Sequence, residues 1–399
     1  MNSLSTAAKK LVLSHNLMRF GRNLFKLFMS IYIFKLTDSI QDVALFSFFY
    51  MISHMVSFIL FAKIVKKGKA NTPRQFGLIG MCLFFLSLLF LKEKAVEHLI
   101  LLGSFFGFFN GMYWISYHFY RFELTNVMNR GNFAGVETAT KTLASLLAPI
   151  LGGYLIVYNF FGLEYGLVFI LGALVYFGSY ISFKPTDYKI VSHSTSNFLT
   201  SVKKIWRIKD LRKVLYSALA QGFGRGGIID TLIALFLFDI LKNEFHTGSW
   251  ISFFQLVAVV IGVLYGKYMH YSKYKMPMLI SGLLYSSSVL LLVFYPSFIV
   301  YVIFGILSQI ISPFMSIPSR VYSLNLFHLV KDYKKRIIDY TVFKELFTVG
   351  FSRAVAWLLI LLIPNITISS LSVVLILIAI SIFLEPLILC TIKTKVHKV

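Results

Sequence analysis

Apolar residues in this chain fall into long, near-continuous blocks separated by short polar and basic stretches. Runs such as Leu83–Leu91 and Val373–Ile380 show no alternation of polar and apolar positions. Alternation would mark a membrane β-strand, so these blocks read as helices. A helix crossing a bilayer needs roughly 20 mostly apolar residues. Twelve blocks are candidates: 11–36, 43–62, 76–91, 98–120, 132–158, 165–183, 213–238, 249–266, 276–295, 297–319, 337–363 and 368–390. We number them spans 1 to 12. The pattern predicts an all-α polytopic membrane protein.

Composition strengthens this reading. Of 399 residues, 57% are hydrophobic and 14% charged, with a mean hydropathy of +0.76. Soluble domains carry about 45–50% apolar and about 25% charged residues. The chain therefore lacks the polar surface of a soluble enzyme and is too apolar to be disordered. Its two cysteines, Cys82 and Cys390, lie inside apolar runs and suggest neither a disulfide framework nor a metal site. No cofactor is expected. The first block is too long and too polar for a signal peptide, and no small-residue cleavage site follows it.

The net charge of +23 would suggest nucleic acid in a soluble protein, but its distribution points elsewhere. With the amino terminus inside, 28 of the 39 Lys and Arg fall in cytoplasmic segments and only Lys35, Lys92, Lys94 and Lys242 outside. The other 7 lie within spans. That asymmetry is what the positive-inside rule requires of a protein with both termini cytoplasmic. Spread over seven loops and tails, the basic residues form no nucleic-acid face.

The longest polar connection runs from Pro185 to Arg212. Within Ser196–Asp210, Phe198, Val202, Ile205 and Trp206 recur at helical spacing beside Lys203, Lys204 and Arg207. This predicts an amphipathic helix at the inner leaflet. It divides the chain into an amino-terminal bundle (1–184), a linker (185–212) and a carboxy-terminal bundle (213–399), each bundle with six spans. The halves look duplicated. Phe20-Gly21-Arg22 in span 1 matches Phe223-Gly224-Arg225 in span 7 at an offset of 203. Phe106-Gly107, Arg121 and Asn126 match Phe304-Gly305, Arg320 and Asn325 at offsets of 198 and 199.

Charges inside a bilayer cost about 2.5–3.5 kcal/mol each and are functional by default. In span 1, His15, Arg19, Arg22, Lys26 and Ser30 share one helix face. The stripe must meet water, another helix or a ligand, although Arg19 by itself fits an inner-surface position. Span 7 carries Gln221, Arg225 and Asp230 among Gly222, Gly224, Gly226 and Gly227, a cluster that weakens the helix and allows a break. Arg225 and Asp230 point apart at about 100° per residue, so Asp230 is either another helix's counter-ion or a titrating group. In span 4, Asn110, Trp114, Tyr117, His118 and Arg121 share a face; the aromatic members suit packing as well as ligand contact. Gln309 stands in a polar row of span 10. Glu137 and Lys141 are spaced for an ion pair in span 5, and Lys344, Glu345 and Arg353 lie in span 11. These groups read as gates, structural pairs or proton sites.

Twelve spans in a six-plus-six repeat, cytoplasmic termini and a basic middle linker together resemble the major facilitator superfamily. Gly135, Ala144, Ala148-Pro149 and Gly152-Gly153 are similar to that superfamily's antiporter motif, with Ala for two glycines. The loop after span 2 keeps Lys66, Gly68 and Lys69 of another family signature but has Phe61 for its first glycine and Val65 for its aspartate. The resemblance implies two pseudo-symmetric six-helix bundles, with spans 1, 4, 7 and 10 lining a central cavity.

The expected function is secondary active transport by alternating access in the plasma membrane, by a monomer and without enzymatic activity. Deep cations (Arg19, Arg22, Lys26, Lys141, Arg225, Lys344, Arg353) outnumber deep anions (Glu137, Asp230, Glu345), and counting Asp339 and Glu385 near the inner ends does not reverse this. A small anionic or zwitterionic solute fits that surplus, with Arg22 and Arg225 as a two-sided clamp. Arg19, Lys26, Asn110, Trp114, Tyr117, Gln221 and Gln309 complete the candidate binding set, and Glu137, Lys141, Asp230, Lys344 and Glu345 the candidate gating or proton-coupling set. Drug–proton antiport and flipping of a lipid-linked substrate are the alternatives. A lipid-modifying enzyme would need a nucleophile, base or metal cluster, and none is spelled in the sequence. Asn365-Ile366-Thr367 fits a glycosylation acceptor pattern that chance also supplies.

Overall fold

The structure is a computed structural model and describes residues 4–125, 130–184, 196–225, 227–268, 274–363 and 368–393. Asn126, Gly226, the linker's start at 185–195 and the Asn365-Ile366-Thr367 triplet lie outside these residues. All regular structure among the described residues is helical. Among the described residues, eight helical stretches are long and apolar enough to cross a membrane, and one of them, Asn71–Glu123, holds spans 3 and 4 with a 3-10 segment, Lys92–His98, between them. The other three spans are interrupted, which brings the total to the twelve expected.

The interruptions fall where charge or glycine weakens the helix. Span 1 runs as Thr6–Leu24, a π-helical turn Phe25–Met29, and Ser30–Thr37. Span 7 runs as Lys209–Arg225 and Ile228–Leu241, separated at Gly227, whose φ of 99° is open only to glycine without strain. Span 11 runs as Tyr333–Glu345, a longer π-helical stretch Leu346–Ala354, and Val355–Leu361. Isolated π turns are uncommon and concentrate at functional positions.

The chain forms two compact units. The first comprises Met1–Thr195 with Phe238–Gln255, the second Ser196–Leu237 with Leu256–Val399. The hairpin joining spans 7 and 8 thus belongs with the first unit, although the repeat pattern assigns it to the second half.

In the first unit, span 4 (Leu99–Glu123) is seated on span 2 (Ile40–Lys66) by a ladder of small residues. Gly103, Gly107 and Gly111 recur every fourth residue and face the backbone carbonyls of Phe46, Tyr50 and His54. A side chain on any of the three would meet backbone, so the two helices approach as closely as helices can. With that face fixed on span 2, Phe106 stacks on Phe25 of span 1 at 3.8 Å. About two to three turns further along, Trp114 and Tyr117 then reach span 1.

Arg74 locks this unit at the foot of spans 1, 3 and 6. It is fully buried, although its sequence position suggests a loop. Its guanidinium donates to Ser14 Oγ at 2.6 Å, to the Ser179 carbonyl at 2.9 Å and to the Phe183 carbonyl at 2.9 Å.

Span 5 (Arg130–Val157) meets the start of span 8 through the small residues of its antiporter-like motif. Gly153 faces the backbone of Glu244 and Phe245, and Gly248 faces the Pro149 carbonyl. Ser252 donates to the Leu146 carbonyl at 2.7 Å. At the end of this contact Glu244 takes both the Lys35 ammonium and the Tyr165 hydroxyl at 2.9 Å.

In the second unit, spans 7, 9, 11 and 12 pack through Gly222 against the Thr348 carbonyl, Gly224 against Ile382 and Gly282 against Pro386. The linker helix forms at Phe198–Arg207, as its periodicity predicts. Ile205 is fully buried among Leu211, Tyr340 and Leu389, and Ser201 donates to Asp339 of span 11 at 2.6 Å. Leu199 and Trp206 stay exposed on the same helix.

Candidate functional site

The polar stripe of span 1 faces protein inside the first unit. His15 is fully buried, and its ring lies parallel to Tyr117 of span 4 at 3.6 Å. His15 Nδ1 is 2.8 Å from the Tyr113 hydroxyl. On its other side Arg19 Nε donates to His15 Nε2 at 3.1 Å. Glu137 of span 5 brings Oε1 to 3.7 Å from the same Nε2 and accepts the Tyr117 hydroxyl at 2.6 Å. Two amide–hydroxyl bonds fasten span 1 to span 5 along this line, Asn16 to Thr140 at 2.6 Å and Asn23 to Ser145 at 3.1 Å.

Arg19 and Arg22 converge on one ring. Their guanidinium carbons lie 4.8 Å and 5.2 Å from the centre of Trp114. Both side chains are only partly buried. Among the described residues neither makes an ion pair with a carboxylate, and the Arg22 guanidinium makes no hydrogen bond. Two cations held side by side on a π face form a site complementary to an anion, because the ring steadies them without neutralising them.

The remaining candidates are distributed as follows. Lys26 lies in the π-helical turn, where Ser30 Oγ donates to its carbonyl at 3.2 Å. The wider turn moves Lys26 and Ser30 off the regular spacing that joined them to Arg22 in sequence. Asn110 is fully buried, with Oδ1 accepting from Tyr50 at 3.2 Å and standing 3.0 Å from His54 Nδ1. Those contacts turn it to span 2, and its Nδ2 donates to Met81 Sδ of span 3 at 3.5 Å. Lys141 lies one turn beyond Glu137 on span 5, partly buried.

In the second unit Arg225 is bound by Glu385 of span 12, Nε to Oε2 at 2.8 Å and Nη2 to Oε1 at 2.6 Å. The arginine side chain is 9% exposed and the glutamate 1%. The repeat is visible here and so is its divergence. Gly21 abuts Tyr176 of span 6 and Gly224 abuts Ile382 of span 12, the corresponding span. The arginines that follow have different partners: an aromatic ring for Arg22, a carboxylate for Arg225. Asp230 is exposed near the start of the second piece of span 7, and Gln221 is partly buried. Gln309 donates to Ser308 at 3.3 Å, and Lys344 donates to Ser323 at 2.9 Å. Glu345 closes the first piece of span 11.

Sequence reasoning missed two partners. Glu385 is separated from Arg225 by 160 positions and no local pattern links them. Arg74 gave a signal only in that a lone arginine stands beside a glycine-rich apolar run.

A sequence profile of the Major Facilitator Superfamily matches residues 11–328. The chain belongs to that superfamily. This major facilitator protein is a multi-pass membrane protein and a secondary transporter. It is 24% identical over 345 residues to "Uncharacterized protein YqgE" of Bacillus subtilis, covering 86% of this chain and 79% of that one. It is 27% identical over 136 residues to "Uncharacterized protein in sodM 3'region" of Geobacillus stearothermophilus, covering 34% of this chain and 64% of that one. Among solved structures, a bacterial homologue of the iron transporter ferroportin in its inward-facing state superposes with a TM-score of 0.65 at 15% identity, over 97% of this chain and 98% of that one. At that identity the likeness speaks for the fold. Among the described residues no three His, Cys, Asp or Glu side chains gather as metal ligands would.

Proposed function

We propose that this transporter moves a small anionic or zwitterionic solute by alternating access, with proton coupling, in a plasma membrane where both termini face the cytoplasm. One observation carries the reading: Arg19 and Arg22 sit together on Trp114, and among the described residues no carboxylate pairs with either. An anionic group reaching them gains charge-assisted hydrogen bonds in a region of low dielectric. Arg225, closed by Glu385, has no part in this reading as a solute clamp, and the binding role rests on Arg19, Arg22, Trp114 and the neighbouring Asn16 and Asn23. The 28-to-4 distribution of basic residues supports the orientation.

The bacterial homologue of the iron transporter ferroportin raises iron as a competing cargo, and the span 5 motif raises lipophilic drugs. Two guanidinium groups with no carboxylate beside them among the described residues repel both kinds of cation. Flux into proteoliposomes separates the three. The panel holds organic anions, phosphorylated metabolites, lipophilic cations and Fe²⁺, each with and without a pH gradient. Anion flux that falls at least tenfold in Arg19→Gln and Arg22→Gln is the expected result. A preference for either cation class, or anion flux unchanged in both variants, overturns the reading.

A further inference from the structure

His15, a buried titratable group beside the anion site, has no task in that site. Its ring is held on all sides. An arginine Nε–H only donates, so the 3.1 Å contact from Arg19 makes His15 Nε2 the accepting nitrogen. The ring proton is then on Nδ1, which points at the Tyr113 hydroxyl 2.8 Å away. Glu137 Oε1 faces the same Nε2 from 3.7 Å, beyond hydrogen-bond range. Nε2 therefore stands between a cation that needs it bare and a carboxylate that needs it protonated.

We infer that His15 is the proton-coupling residue of this transporter, switching Nε2 between Arg19 and Glu137 and so coupling proton uptake to anion binding. The inference rests on the anion reading above. In the step, Nε2 takes one proton from the aqueous phase. The N–H···N bond from Arg19 breaks, and an N–H···O bond to Glu137 forms. The imidazolium and the carboxylate now balance each other. The Nε–H of Arg19 is freed to donate to an anion, beside Arg22, on the Trp114 face. Loss of the proton reverses each change.

The sign follows from the surroundings. Span 1 presents Arg19 and Arg22 to His15, span 4 presents Tyr113, Tyr117, His118 and Arg121, and span 5 presents Glu137. Span 6 places Tyr176 beside span 1 at Gly21, and Arg74 of span 3 binds the neighbouring Ser14. Glu137 is the single carboxylate in this set, and the other charged groups facing His15 are cationic. An anion seated on the two arginines offsets that positive charge. By linkage, anion binding promotes protonation and protonation promotes anion binding to the same degree. The pair loads and unloads together, which is symport.

Trp114 reports the switch without any substrate, because it touches both guanidinium groups and meets His15 edge-on at 5.4 Å. The experiment is a fluorescence titration of the purified full-length protein from about pH 4 to 9, the range that brackets histidine. Wild type should show one emission step, absent in Trp114→Phe and in His15→Gln. Glu137→Gln should move its midpoint about one pH unit or more lower, since the imidazolium loses its carboxylate. A step that survives in His15→Gln, a midpoint unmoved in Glu137→Gln, or no step in wild type overturns the inference. Failure of the anion reading shows separately, in the flux panel.

Discussion

Arg225 grips Glu385 through two hydrogen bonds in a pocket that leaves the glutamate 1% exposed. A buried pair of this kind contributes little over an apolar replacement, but breaking it strands a charge. That loss amounts to about 3–5 kcal/mol. Arg225→Gln and Glu385→Gln should each lower the unfolding temperature of the detergent-purified protein substantially. The double variant should be more stable than the sum of the single losses predicts. Additive losses would mean that the two side chains act independently.

Trp114 should matter through its ring rather than its bulk alone. A cation–π contact contributes about 0.5–2 kcal/mol, and about 1.4 kcal/mol is a tenfold change in affinity. With two guanidinium groups on one ring, Trp114→Ala should raise the half-saturating anion concentration about tenfold. Trp114→Phe should give a smaller rise. Equal values for both variants would argue that the ring only fills space.

Arg74→Lys is a sharper test of the buried lock than Arg74→Ala. Lysine keeps the charge but lacks the planar fork that reaches Ser14 and the Ser179 and Phe183 carbonyls together. Both variants should lose stability, by about 2–4 kcal/mol given charged hydrogen bonds of about 1.5–3 kcal/mol each. A lysine variant melting with wild type would remove the fork from the account.

Gly153 and Gly248 let span 5 and the start of span 8 meet backbone to backbone. Gly153→Ala or Gly248→Ala should cost about 1–3 kcal/mol, the usual penalty for overpacking. Gly135 on the same helix meets open space, so Gly135→Ala should be neutral or slightly stabilising. Thermal unfolding of the three variants side by side checks the contrast.

Much of this architecture was legible in sequence because bilayer helices follow length and hydropathy. The twelve spans, the linker helix at Phe198–Arg207 and the glycine break in span 7 all appear where the pattern puts them. The inward face of Arg19 and Arg22 followed from the expense of turning them to lipid. Tertiary partners did not follow. Nothing local couples Arg225 to Glu385, Asn110 to Tyr50 and His54, or Gly248 to Pro149. The hairpin at Phe238–Gln255 joins the first unit through contacts that a repeat-based division of the chain does not contain. The π turn at Phe25–Met29 also escaped, because a fixed angle per residue assumes unbroken α-geometry.

That turn has a genetic consequence. Five-residue spacing accommodates one residue more than the surrounding helix needs. A single-codon deletion within Phe25–Met29 would let the wound backbone relax to ordinary pitch, keeping both ends of span 1 in phase with their neighbours. The same deletion one turn earlier, within Leu17–Gly21, would rotate His15 away from everything beyond it. Span 1 therefore carries its own tolerance for length change, confined to the stretch where its bonding is loosest.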